Sequence, residues 1–438
     1  MKLKIKNCAK ISYAEFEFNG LTVIAGNNNT GKSTVGKVLY SLFRSLSNAD
    51  KRVIERRQES IRQYARRIIF GYKFLEEKGL DIVTQLMQGE TLDQIVTACW
   101  DEICKVGGRS GFLKVTNKER VQLINETIAR LNEKIEIAQG LTNEQYQAII
   151  VQNVFDCVFH KQVRPLRNPK LVPELTLEIK GEKNVIRFTD AGCEVRNPTK
   201  VRKTVRYIAT PDVLSLINNK ALREIDAEVE AAVSSLFEKY VWELARELHR
   251  DGEGLSTAEQ IEISESLKDL NQILNQIVKG DFKRDNSSQD APFSLFEEGQ
   301  EATKAENLSM GLKFFVLLRH MLQKGILSKK DILILDEPEN HLHPEWQVQY
   351  AKILVLLQKT YDLTLLVTSH STFFVNALQQ AALAKDVSER TKFYLAVEDK
   401  TSNGGFTFEE NNIFAADIFR SFNKGFERID EIASENEL

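Results

Sequence analysis

Residues 21–46, LTVIAGNNNTGKSTVGKVLYSLFRSL, constrain the fold more than any other stretch of this chain. A continuous apolar run from Leu21 to Ala25 stops at Gly26, and Val35, Val38, Leu39, Leu42, Phe43 and Leu46 then recur at helical spacing. The glycine-rich segment therefore joins a buried strand to a helix. Gly26 to Thr34 meets the pattern G-x-x-x-x-G-K-[ST] in the context where that pattern has a mechanism. Glycines let the backbone curl so that successive N–H groups and the helix N-terminus face phosphates, Lys32 reaches the β and γ oxygens of a nucleoside triphosphate, and Ser33 offers its hydroxyl to Mg²⁺. The expected nucleotide-contacting set is Gly26, Asn27, Asn29, Gly31, Lys32, Ser33 and Thr34.

A phosphate loop needs a carboxylate on a neighbouring strand to hold Mg²⁺, with Ser33, and a second group to orient the attacking water. The stretch ILILDEPE supplies both: Asp336 ends an apolar strand, where ligands bind in open α/β sheets, and Glu337 follows it in the place of a general base. The helix PEWQVQYAKILVLLQKT, with proline in its first turn, and a second apolar strand, LTLLVTSH, complete a βαβ unit with parallel strands. That second strand puts His370 at the same carboxyl edge, within reach of a γ-phosphate or the attacking water. The turn between them, ENHLHP, spaces His341 and His343 as H-x-H beside acids, so a zinc site stays open as an alternative. In NLSMG, Ser309 is a good N-cap for the helix that follows, and a helix start with a glycine-bearing turn is an anion site.

The order phosphate loop, serine–glycine helix start, apolar-Asp-Glu, strand-His resembles the ABC-type ATPases, in their SMC-like and OLD-like branch rather than the transporters. The resemblance covers about residues 1–46 and 281–380. It implies an α/β fold, an ABC-type P-loop ATPase head with a mixed sheet, using ATP and Mg²⁺ in a head-to-tail dimer or higher even oligomer. Lys32, Ser33, Asp336, Glu337 and His370 of one protomer would hold ATP, while Ser309 and Gly311 of the other close over the γ-phosphate. The chain departs from the transporter pattern at Met310 and Leu312, where glycine and glutamine would stand, and at His343, where an aspartate would. The same family uses a glutamine to sense Mg²⁺, for which Gln162 is the candidate. Within the branch, the layout is similar to AAA_15/AAA_21-type bacterial ATPases of Septu-type and retron-associated anti-phage systems, which pair with a separately encoded nuclease. The other implied role is a DNA repair or recombination ATPase of RecF or SMC type.

The remaining residues read as additions to this head. The expected divisions are 1–46, the ATPase part with the phosphate loop; 47–160, a helical insertion; 161–218, a small β lobe; 219–280, a helical arm; 281–380, the second ATPase part; and 381–438, a hairpin and closing helix. In the insertion, Ile54, Ile61 and Ile68 repeat every seven residues, and Lys51 to Arg67 carries seven basic residues against two acidic ones. That helix either tracks the phosphates of DNA or RNA or is a solvated face. Glu178-x-Lys180 matches half of a nuclease pattern and reads as an ordinary strand, no HNH-like arrangement is seen, and little chain follows His370 for a Toprim domain. No intrinsic nuclease is expected. A net charge of −3 leaves any nucleic-acid contact to local patches. Five scattered cysteines, including Cys99 and Cys104, an N-terminus without an apolar leader, and no run of roughly 18 to 20 apolar residues point to reducing cytoplasm and no membrane.

Overall fold

The structure, a computed structural model, describes residues 1–69, 71–110, 116–197, 201, 203–219, 237–249, 268–287, 291–414 and 416–421. It divides into two compact units, one formed by Met1–Ser47 with Val151–Leu438 and the other by Asn48–Ile150. The helical unit thus begins and ends slightly inside the 47–160 expected of it.

The larger unit is built on one eleven-stranded sheet. Its strands are β1 (Lys2–Cys8), β2 (Ile11–Glu17), β3 (Leu21–Ala25), β4 (Glu174–Ile179), β5 (Glu182–Thr189), β6 (Gly192–Arg196), β7 (Val205–Ile208), β11 (Ile332–Asp336), β12 (Thr364–Ser369), β13 (Thr391–Asp399) and β14 (Gly405–Asn411). Across the sheet they run β6-β5-β4-β1-β2-β14-β13-β3-β12-β11-β7. β8 (Asp281–Arg284), β9 (Phe293–Phe296) and β10 (Thr303–Lys304) form a second, antiparallel sheet. From β13 to β7 every pairing is parallel. β3 and β12 are buried at every position, as expected of parallel strands covered on both faces. β1 and β2 pair antiparallel and alternate, burying Leu3, Ile5 and Phe16 on one face.

The strands expected between 161 and 218 divide between the two edges of this sheet. β4 pairs antiparallel with β1, Leu3 opposite Leu177 and Ile5 opposite Leu175, so the β4–β6 meander extends the sheet. β7 instead joins the far edge, parallel to β11 with Tyr207 opposite Ile334. An unpaired edge of N–H and C=O groups takes whichever strand matches its apolar face, and such pairings between distant segments carry no local signature. The C-terminal hairpin forms as β13 and β14, and its first strand is inserted beside β3. Of the arm expected over 219–280, helices Lys239–His249 and Lys268–Ile277 are described. Residues 220–236 and 250–267 of that arm and most of the closing helix lie outside the described residues.

Helix α1 (Lys32–Leu46) lies on the parallel half of the sheet. A Cβ at Gly36 would meet the Tyr207 ring at 2.7 Å and Ile334 Cγ2 at 3.1 Å, so glycine lets the helix approach β7 and β11. Farther along, Tyr40 donates to Glu243 at 2.5 Å and Arg44 Nε at 2.7 Å, tying α1 to the helix Lys239–His249.

The helical unit contains α2 (Ala49–Ile68), α3 (Tyr72–Glu77), α4 (Ile82–Met87), α5 (Leu92–Ser110), α6 (Asn117–Gly140) and the start of α7 (Asn143–Val158). Its core gathers Ile61, Ala65, Ile69, Val96, Cys99 and Leu131. The seven-residue isoleucine repeat is not a seam: Ile61 is buried and Ile68 packs beside the core, but Ile54 is 55% exposed. The 3.6-residue period puts Ile61, Ala65 and Ile69 on one face instead. Cys99 sits in this core, and burial pushes its thiol up to about 11. Much of the positive charge of α2 is spent within the unit. Arg62 donates to both oxygens of Asp81, Arg66 pairs with Glu76 and Glu59, and Arg57 lies over the Tyr146 ring. Among the described residues, no helix is long and apolar enough to cross a membrane.

Two outcomes follow from this packing. Gly36→Val should lower the unfolding free energy by about 1–3 kcal/mol through overpacking against Tyr207, measured by urea denaturation. Asp81 caps α4 through the Thr84 N–H; burial raises its pKa, but Arg62 and Thr84 outweigh burial and hold it below the ordinary value. Folding therefore favours the ionised form, whose contribution is complete above about pH 3.9 and is lost as pH falls further through the folded value. Asp81→Asn should accordingly lose less stability than wild type between pH 6 and 3 in the same urea experiment.

Candidate functional site

β3 ends at Ala25, and the loop it feeds curls through two left-handed residues, Asn29 at φ 67° and Gly31 at φ 90°, before α1 begins at Lys32. Thr30 closes the curl by donating to the Asn27 carbonyl at 2.9 Å. Lys32 is 4% exposed, and its ammonium donates to the carbonyls of Gly26 at 2.7 Å and Asn27 at 2.8 Å. Burial lowers its pKa, with Glu337 at 3.5 Å acting in the opposite direction. Two neighbours of the loop carried no signal in the sequence. Lys10, in the β1–β2 turn, donates to the Asn29 carbonyl at 3.2 Å, and Ala396 of β13 lies where a Cβ at Gly26 would come within 2.8 Å.

The carboxylate of Asp336 is held from three sides. Ser33 Oγ donates at 3.0 Å, Tyr207 Oη donates at 2.7 Å, and the Thr368 hydroxyl makes a short contact with the same oxygen as Ser33. The parallel register that sets Asp336 opposite Thr368 and Ile334 opposite Tyr207 puts these groups at one sheet edge. Burial first, and then the adjoining Asp336 charge, push the Tyr207 phenol far above its ordinary value, so it stays protonated and donates.

Glu337 sits in the left-handed region at φ 49°, a strained conformation for a side chain of this size. Its N–H donates to both the carbonyl and the hydroxyl of Thr368, each at 3.1 Å, which holds the turn. Asn340 donates to Glu337 Oε2 at 3.2 Å. His370 Nδ1 lies 3.2 Å from that same oxygen without the alignment of a hydrogen bond, and Lys32 flanks the other oxygen. Lys32, Ser33, Asp336, Glu337 and His370 are therefore gathered at one place.

Among the described residues no hydrogen bond or ion pair joins Ser309 or Gly311 to it. Ser309 is exposed and caps the helix Met310–Gln323, accepting from the Leu312 N–H at 3.4 Å. A Cβ at Gly311 would meet the His341 carbonyl at 3.1 Å and the Trp346 ring at 3.2 Å, so this helix start packs on the turn that follows the acidic pair. His343 caps the helix Pro344–Tyr361 through Nδ1, and His341 is exposed. Among the described residues no group of three His, Cys, Asp or Glu side chains is placed to hold a metal. Gln162 is exposed next to Val163, whose carbonyl accepts from the Ala9 N–H beside Lys10.

The donors suit a nucleoside triphosphate with Mg²⁺. Ser33 Oγ and an Asp336 oxygen are hard ligands 3.0 Å apart, and the curled loop with Lys32 ends on the N-terminus of a fifteen-residue helix.

Residues 205–376 match the profile of a family described as "AAA domain, putative AbiEii toxin, Type IV TA system". A curated Helicobacter pylori protein, "ATP/GTP phosphatase", is 21% identical over 416 residues, covering 91% of this chain and 92% of that one. Among solved structures the chain is similar to an SMC head bound to the C-winged helix domain of ScpA, with 13% identity, a TM-score of 0.42 and coverage of 95% of this chain and 98% of the other. It is also similar to the SMC head domain from Thermotoga maritima, with 12% identity, a TM-score of 0.36 and coverage of 94% and 98%. The strand order and the loop geometry define an α/β P-loop fold with one large mixed sheet.

Tyr207 gives this site a direct test. Tyr207→Phe removes one of the three hydroxyls on Asp336, and the Mg²⁺ concentration for half-maximal ATP turnover should rise about ten-fold, since partners of metal ligands carry effects of that size. The readout is a Mg²⁺ titration at saturating ATP.

Proposed function

We propose that this chain is the ATP-binding and hydrolysing subunit of a bacterial anti-phage defence complex, cytoplasmic, dimerising around ATP and controlling a separately encoded nuclease. The observation that carries the catalytic part is the placement of Glu337, with one carboxylate oxygen 3.5 Å from Lys32 and the other 3.2 Å from His370. A carboxylate there stands between the group that holds the γ-phosphate and a second group able to orient water.

Lys32 would exchange its carbonyl partners for β- and γ-phosphate oxygens. Ser33 and Asp336 would hold Mg²⁺, which when bound neutralises the charge that develops on the β–γ bridge. Tyr207 and Thr368 keep the Asp336 oxygens aimed. Glu337 accepts the proton of the attacking water, and its strained, doubly hydrogen-bonded turn fixes the direction of that oxygen. His370 holds the water or the departing phosphate. Ser309, exposed at the helix start, and Gly311, buried beside it against the Trp346 ring, would serve the site of a second copy, whose own pair would in turn close this one.

The defence role is supported by the layout of the motifs and by the family description, which names a toxin; the reading of ATP hydrolysis is supported by the name of the Helicobacter pylori relative, "ATP/GTP phosphatase".

Glu337→Gln should bind ATP yet turn over about 10²–10⁴-fold more slowly, the contribution of a general base, and should accumulate as an ATP-bound dimer on native mass measurement. Turnover equal to wild type would overturn the assignment. Co-purification of the tagged protein with the products of its neighbouring genes, with and without ATP and Mg²⁺, tests the partner. A stoichiometric nuclease is the expected result. A dimer alone, with ATP turnover stimulated by DNA, would replace the defence reading with DNA repair or recombination.

A further inference from the structure

Three carboxylates leave the end of β11 within four residues, and the mechanism uses only two. The third, Glu339, is 3% exposed, far more enclosed than either neighbour. Its Oε1 accepts from Ser369 Oγ at 2.6 Å and from the His370 N–H at 3.2 Å, and lies 3.9 Å from His370 Nδ1. Its Oε2 is buried with no hydrogen-bond partner. A carboxyl group enclosed at that cost needs a reason beyond local folding, because an apolar side chain of similar size would be cheaper there.

The contacts show what it holds. Ser369 is the last residue of β12, and Ser371 caps the helix Thr372–Ala384 by accepting from the Phe374 N–H at 3.2 Å. The Ser371 N–H donates to Ser369 Oγ at 3.0 Å, and Ser369 Oγ in turn donates to Glu339. Strand exit, His370 and helix start are thus pinned to one oxygen of the turn that also carries Glu337. The Leu342 N–H donates to the Glu339 carbonyl at 3.0 Å, so the main chain on the far side is anchored as well. His370 has no other described contact that fixes its backbone beside Glu337.

We propose that Glu339 is a positioning residue: it clamps the Ser369–His370–Ser371 strand exit so that the His370 imidazole faces Glu337. The clamp rests on the ATPase reading for its catalytic consequence, but not for its geometry. Burial raises the Glu339 pKa, with the Ser369 hydrogen bond opposing it, so a neutral amide that keeps one accepting oxygen is a fair substitute. Alanine is not.

The test compares wild type with Glu339→Ala, Glu339→Gln and Ser369→Ala, each alone and combined with His370→Ala. In Glu339→Ala, kcat should fall about ten-fold with the affinity for a fluorescent ATP analogue within about two-fold, as for the loss of a group that orients another. Glu339→Gln should recover most of that loss. In the His370→Ala background the Glu339→Ala effect should disappear, since two residues acting through one contact are not additive. Amide hydrogen exchange at His370, read without any nucleotide, should speed up in Glu339→Ala and not in Glu339→Gln. Unchanged exchange, or a kcat loss that persists in full without His370, would overturn the proposal. If Glu339→Ala does not fold, Ser369→Ala removes the hydroxyl donor on the same oxygen and is judged by the same two readouts. A wild type that binds ATP without turnover would count against the ATPase reading, while the exchange result would still decide the clamp.

Discussion

Asp336 accepts hydroxyls from Ser33, Tyr207 and Thr368, which belong to α1, β7 and β12. A half-buried carboxylate must replace lost water with donors, and here each donor comes from a different part of the chain. The arrangement holds only if β7, β11 and β12 are parallel and in register and if α1 lies directly on them, which Gly36 permits. Once it is made, the adjoining residues have little freedom. Glu337 is turned into the left-handed region by its two bonds to Thr368, and Lys32 is drawn between the loop carbonyls and Glu337.

The rest of the larger unit supports this edge from outside. β13 backs the phosphate loop at Ala396, and the β1–β2 turn adds Lys10 to its rim. The C-terminal hairpin therefore contributes to the nucleotide loop although more than 350 residues separate them in the sequence. The helical unit has its own core and its own ion pairs, and Arg62 and Arg66 are satisfied inside it. The basic stretch of α2 is accordingly a weaker candidate for a polyanion contact than its residue count implied, because a cation already paired with carboxylates releases fewer counterions on meeting phosphate.

The phosphate loop, the acidic pair and the strand-end histidine were legible because each is a contiguous pattern with a mechanism attached. Strands with fully buried faces and helices with 3.6-residue periods were legible for the same local reason. Tyr207, Thr368 and Glu339 were not. Tyr207 stood in a segment that read as part of a β lobe, Thr368 looked like an ordinary strand residue two before the histidine, and Glu339 stood only among the acids beside the H-x-H pair. Their importance depends on which strand lies beside which, and no short-range pattern encodes that. The isoleucine repeat of α2 shows the converse, a local periodicity that the packed helix does not use.

By itself the sequence determined the class of chemistry: glycines where the backbone must curl, a lysine and a serine at fixed offsets, and apolar runs ending in Asp-Glu and in His. Those constraints act within a few residues, through backbone conformation and side-chain reach. Only the tertiary structure decided that β7 joins the β11 edge while β4 joins β1, that Tyr207 and Thr368 hold Asp336, and that Glu339 grips the exit of β12. Strand neighbours and register are chosen by burial and hydrogen bonding summed over the whole sheet, so the residues they bring together are defined by the fold and not by any single stretch of chain.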